Sequence, residues 1–294
     1  MNGKDEAALA RKRARRRRGM YLLPSLFTVG NIGAGYWAIT QTMAAIGADG
    51  NAQMHLNWAA LAILFAIPFD ALDGRIARMT NTTSEFGKEL DSLADVITFG
   101  VAPSLLAYVW GFKFLPESVN QALREDLLHI GVFVCFLFLI GGASRLARFN
   151  ISHNPVPRNP GRPDRKYFVG MPIPAAAGLI ATSVHFFDGI PIQAWWVAII
   201  WLVLVGITGF LMVSTWRFWS GKEINFSRRH PFQMIPLLAI AAFLMIRFSQ
   251  FVLVACALVY MFSGIWARAA YGWSRRRRSR ATPGLESPDP LSHS

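Results

Sequence analysis

Cysteine is almost missing from this sequence: its 294 residues include two, Cys135 and Cys256, each inside a long apolar run. Thiols placed there are not expected to form a disulfide framework. Histidine is sparse as well, and its six copies do not make a metal-ligand set. His129 and His185 fall near the predicted outer ends of apolar segments, and His230 lies in a polar connection. No Ser/His or Cys/His constellation is evident, which speaks against a covalent nucleophile. No internal repeat is visible. No cleavable signal peptide is expected, because the first apolar run is too long and follows a basic region without a small-residue cleavage site. Acids are the other shortage, 17 against 30 Lys and Arg.

What is present points to a membrane. The chain is 53% hydrophobic with mean hydropathy +0.33, yet carries net charge +13. Apolar bulk with concentrated positive charge predicts a polytopic membrane protein rather than a soluble basic domain. Apolar segments near the ~20 residues needed to span a bilayer predict an all-α bundle of about eight transmembrane helices. These lie at about 22–46, 57–79, 89–111, 128–150, 171–187, 194–218, 232–246 and 248–269. Pro24, Pro172 and Pro174 fall at segment starts, where proline is best tolerated.

Charge placement agrees with that count. With eight spans and a cytoplasmic N-terminus, 27 of the 30 Lys and Arg fall on the inside, leaving Lys113, Arg124 and Arg247 outside. The positive-inside rule then puts both termini in the cytoplasm. A basic segment (1–20), a transmembrane domain (21–270) and a tail (271–294) follow, the tail basic and then, from Ser279, expected to be disordered. The arginine runs Arg11–Arg18 and Arg275–Arg278 read as topology determinants attracted to anionic lipid, about 1 kcal/mol per residue near the surface. No folded module or aromatic interleaving suggests nucleic acid as a partner.

Four of the scarce acids gather where the chain enters the bilayer. Between Pro68 and Thr98 the sequence runs Asp70-x2-Asp73-Gly74-x2-Ala77-Arg78-x8-Gly87-x3-Asp91-x3-Asp95. At helix-centre depth an aspartate costs about 2.5–3.5 kcal/mol, so the set requires compensation. Asp70 and Asp73 share a face at the cytoplasmic end of the second span, and Asp91 and Asp95 share one at the start of the third. The two helices are antiparallel across a short loop, so those faces can meet. Oxygen-only ligands suit hard cations such as Mg²⁺ or Mn²⁺. Four negative charges balance two such ions, an arrangement used to clamp attacking and leaving oxygens in phosphoryl transfer. Gly74 and Gly87 open the backbone to a ligand. Arg78 can reach phosphate with a planar donor fork, and Ser84 can donate a hydroxyl hydrogen bond.

This string resembles the signature of the CDP-alcohol phosphatidyltransferase family, matched at every fixed position. The resemblance implies that Asp70, Asp73 and Asp91 bind metal and that Asp95 completes a binuclear site and acts as general base. It implies contacts from Gly74, Arg78, Ser84 and Gly87 to the CDP part of a CDP-diacylglycerol substrate. A homodimer in the bacterial inner membrane, active at the cytoplasmic face, would follow from it as well.

Further segments are similar to the phosphatidylserine synthase branch. The first span opens Leu23-Pro24-Ser25-Leu26-Phe27-Thr28-Val29-Gly30-Asn31, with Ser25 where Asn is usual. By that likeness Thr28 and Asn31 face the nucleotide; hydrogen bonding between helices is the other reading. Arg145-Leu146-Ala147-Arg148-Phe149-Asn150, and Tyr167 to Ala176 with Met171 in place of Leu, carry the same likeness. Arg145 and Arg148, with Asn150 and Lys166, are candidates for binding L-serine, since an arginine fork suits a carboxylate. They also fit positive-inside anchors or receptors for a phosphorylated alcohol. Transfer of a phosphatidyl group to serine with release of CMP is the expected activity; glycerol 3-phosphate or an inositol phosphate are alternative acceptors. A cation- or proton-coupled transporter is the rival class, but its acids belong near the midplane on broken helices.

Overall fold

The structure is a computed structural model that describes residues 26–48, 50–80, 85–151, 167–219, 243 and 247–281, with backbone alone for 73–80, 85, 167–168, 219, 267 and 269–281. The sixth connection and the span predicted at 232–246 lie almost wholly outside the described residues.

The described chain is helical apart from one small sheet. Helix α1 covers residues 26–47, and α2 runs Ala52–Thr80 with Pro68 inside it. Helix α3 (Glu85–Asp95) continues through a π-helical turn, Val96–Val101, into α4 (Ala102–Tyr108), which ends in a second π turn, Val109–Lys113. Pro103 stands in the first turn of α4. A proline there has no N–H to give and its ring crowds the carbonyl four residues back, so a widened turn before it relieves both problems. Helix α5 spans Gln121–Ile151, α6 Ile173–Phe186, α7 Trp195–Val213 and α8 Ser249–Ala281. The last helix continues past the expected disorder at Ser279, as far as Ala281.

Five helices are long and apolar enough to cross a membrane, and α6 is a shorter apolar helix. The chain is thus an integral membrane protein with five such helices among the described residues, where about eight spans were expected. Helix α1, whose expected span begins outside the described residues, is not among the five.

Small residues bring the helices together. A Cβ on Gly141 of α5 would lie 2.8 Å from the Gly209 carbonyl oxygen of α7. A Cβ on Gly35 of α1 would lie 2.8 Å from the Thr98 Cα in the π turn. Such contacts set close backbone packing where lipid removes the hydrophobic drive between helices. The core is lined by Phe99, Phe112, Phe138, Leu106 and Leu179, all buried. Trp201 of α7 donates to the Ala107 carbonyl at 3.0 Å, fixing α7 against α4.

An antiparallel pair, β1 (Tyr167–Val169) with β2 (Arg217–Trp219), was not expected of an all-α chain. Each strand has three residues and lies next to a helix end, so period-two alternation never becomes legible. Gly170 follows β1 at φ 75°. Its N–H bonds the Trp216 carbonyl at 2.8 Å, and Met171 bonds Leu211 at 3.0 Å. The turn aims Pro172 and Pro174 into the first turn of α6.

Candidate active site

Helices α2 and α3 bring acids from distant positions to one point. One carboxylate oxygen each from Asp70, Asp91 and Asp95 lies within 4.8 Å of the others. The charge of Asp91 and the carboxyl of Asp95 both act on Asp70. The Asp91 Oδ1 atom is buried with no hydrogen-bond partner among the described residues. Three carboxylates this close repel one another strongly unless a proton or a cation lies among them. An all-oxygen set with a buried, unpaired lone-pair donor fits a hard divalent ion.

The side chains of Asp73, Gly74 and Arg78 are outside the described set, although their backbone continues α2 by one to two turns beyond Asp70. Ser84 and Lys166 lie outside the described residues. Gly87 sits half-buried in the first turn of α3. On α1, Thr28 and Asn31 are both buried. The Asn31 carbonyl accepts from the Thr98 hydroxyl at 2.9 Å. Its side-chain amide, fully buried, has neither end hydrogen-bonded among the described residues. A hydrogen bond between helices therefore involves the backbone of Asn31 and leaves the side chain to another use.

The α5 residues separate into different roles. Arg145 is 8% exposed, and its Nε is buried without a partner among the described residues. The charged and ionisable groups nearest its charge are Tyr260 of α8, Arg148 and, more weakly, Asp95. Arg148 turns instead to the end of α7, where it donates to the Val213 carbonyl at 3.1 Å, to Ser214 at 3.4 Å and to Met212 at 3.5 Å. These are the carbonyls a helix end leaves unpaired, and a cation there is favoured. Asn150 donates to Ser92 Oγ at 2.9 Å, and Ser92 donates to the Lys88 carbonyl at 3.0 Å. This ties α5 to α3 one residue from Asp91.

Ser92, Thr98 and Tyr260 were missed as contributors. Ser92 sits between two motif aspartates and was open to notice. Tyr260 is on α8, with its ring 5.8 Å from that of Phe218 on β2, and nothing local in sequence marks it.

Comparison with known proteins identifies the family. The sequence profile for CDP-alcohol phosphatidyltransferase matches residues 21–204. The chain belongs to the CDP-alcohol phosphatidyltransferase family. It is an integral membrane transferase of phospholipid synthesis, moving a phosphatidyl group from CDP-diacylglycerol to an alcohol. Among its relatives is a CDP-diacylglycerol–serine O-phosphatidyltransferase of Helicobacter pylori, 38% identical over 215 residues, covering 71% of this chain and 76% of that one. Proteins of the same name in Mycobacterium bovis (31% identical, 80% of this chain and 73% of that one) and Bacillus subtilis (31%, 68% and 90%) are similar as well.

Proposed function

We propose that this family member transfers the phosphatidyl group of CDP-diacylglycerol to the hydroxyl of L-serine and releases CMP, in a divalent-metal-dependent reaction. The observation that carries the chemistry is the meeting of Asp70, Asp91 and Asp95 within 4.8 Å at the ends of two spans. Serine is supported by the names of the relatives and by a buried arginine, Arg145, in the field of Asp95.

Asp70, Asp91 and Asp95, joined by Asp73, would hold one or two Mg²⁺ or Mn²⁺ ions. When bound, such ions neutralise pyrophosphate oxygens and the charge left on CMP. Asp95 takes the proton of the serine hydroxyl as its oxygen attacks the lipid-side phosphorus, and the bond to the CMP oxygen breaks. Direct displacement suffices, because the site holds no nucleophilic Ser or Cys beside a base among the described residues. Arg145 receives the serine carboxylate through its guanidinium fork. Asn31, Thr28 and Gly87 face the CDP group, together with Gly74, Arg78 and Ser84.

The site's place at span ends suits both substrates. Acyl chains stay in hydrocarbon while the CDP group meets a water-soluble amino acid. The cytoplasmic side of a bacterial inner membrane and a homodimeric state complete the proposal.

Purified enzyme supplied with CDP-diacylglycerol, Mg²⁺ or Mn²⁺, and a panel of alcohols tests the reading through CMP release. CMP is expected with serine, none after chelation, and recovery when metal is restored. CMP with glycerol 3-phosphate or inositol phosphate but not serine would overturn the acceptor; none with any alcohol would overturn the transfer itself.

A further inference from the structure

An apolar groove of about 560 Å³ lies between α1 and α2. Gly30 and Trp37 on α1, and Trp58, Ala62, Phe65 and Phe69 on α2, are among its lining, and no lining residue is charged. Gly30 lies at one end, where an added Cβ would be in ordinary contact with Phe69 at 4.0 Å. The Phe69 ring is held at 4.7 Å from Phe65 and 5.9 Å from Phe27. The next residue along the chain is Asp70, a member of the acid cluster. One end of the groove therefore adjoins the acid cluster, where the proposed reaction would hold the lipid pyrophosphate.

The other end is formed by two tryptophans, each 53% exposed. Trp58 precedes Phe69 by eleven residues, roughly 16 Å along a helix. One leaflet of hydrocarbon is about 15 Å deep. The groove thus has the length of one acyl chain. Trp58 is six residues inside the start of the span at Ala52, about 9 Å deep and below the headgroup level where tryptophan normally collects.

We propose that this groove takes one acyl chain of the CDP-lipid, and that Trp37 and Trp58 limit the length of chain the enzyme accepts. The proposal rests on the donor reading above and adds a specificity element to it. A lipid whose headgroup is fixed beside Asp70 must lay its chains on adjoining apolar surface. The groove begins at that point, is open along its side, and ends against two rings of fixed size.

The test compares kcat/KM for CDP-dipalmitoylglycerol and CDP-dihexanoylglycerol in mixed micelles, following CMP. Ala62→Phe places a ring half-way along the groove and is expected to lower the long-to-short ratio by about tenfold, since several methylenes lose their burial. Trp58→Ala is expected to shift preference toward twenty-carbon chains. A CDP-lipid with a photoactivatable chain terminus should label the wild-type protein at Trp37, Trp58 or Ala62. Equal losses for both lipids, an unchanged chain-length profile in Trp58→Ala, or labelling confined to other helices would overturn the groove. A disulfide between two copies of an Ala62→Cys variant would assign the surface to a subunit contact instead. CMP release from the short-chain lipid by wild-type enzyme is the control. Its absence would sink the transferase reading, whereas its presence with an unchanged length profile would sink the groove alone.

Discussion

Asp95 is asked to face a cation and to accept a proton, and the two roles separate on substitution. Asparagine keeps the shape and one oxygen but cannot take the hydroxyl proton. Asp95→Asn is expected to lower kcat by about 10²–10⁴-fold, while CDP-lipid binding, followed by displacement of a fluorescent analogue, survives at least in part. Near-normal turnover would remove Asp95 as base. The arginines separate in a different way. Arg145→Lys retains charge but not the fork, so the KM for serine should rise about tenfold with little loss of stability. Arg148→Lys should leave that KM unchanged and lower the melting temperature, because three carbonyls at the end of α7 lose their shared donor. An unchanged serine KM in Arg145→Lys would return Arg145 to a structural role.

At the scale of elements, the strings resembling one branch of the family turn out to meet. Arg148 from α5 and Gly170 from the turn after β1 converge on the end of α7. An added Cβ at Gly170 would lie 2.5 Å from the Met212 carbonyl and 3.1 Å from the Arg148 guanidinium, with φ already at 75°. Gly170→Ala is therefore expected to cost about 1–3 kcal/mol; thermal unfolding in detergent would measure it, and an undiminished midpoint would count against it. The aspartate pair was legible because its spacing is local, three or four residues along one helix. Arg148 could not be read this way, since its acceptors are 64 to 66 residues away and depend on how α5 meets α7. The π turns were likewise hidden: Pro103 signals a disturbed helix, but not that the ladder widens both before and after α4.

For the whole molecule, the charge asymmetry that predicts orientation also supplies its test. Helix α5 has 31 residues, enough to reach from one membrane face to the other, so its two ends report on opposite sides. Glu117, in the turn before α5, and Ile151, its last residue, are both exposed. Of the native thiols Cys135 is buried and Cys256 exposed, so Cys256→Ser is made first to silence the background. In that variant Glu117→Cys should react with a membrane-impermeant maleimide in intact cells, and Ile151→Cys only after the membrane is opened. The reverse pattern would place the acid cluster outside, facing away from any cytosolic pool of CDP-lipid and serine. The same experiment bears on the role of the basic ends. Labelling of both sites from the cytosolic face alone would mean that α5 does not cross the membrane, and the arginine runs would then have to be read as surface anchors rather than as the charges that set the direction of every span.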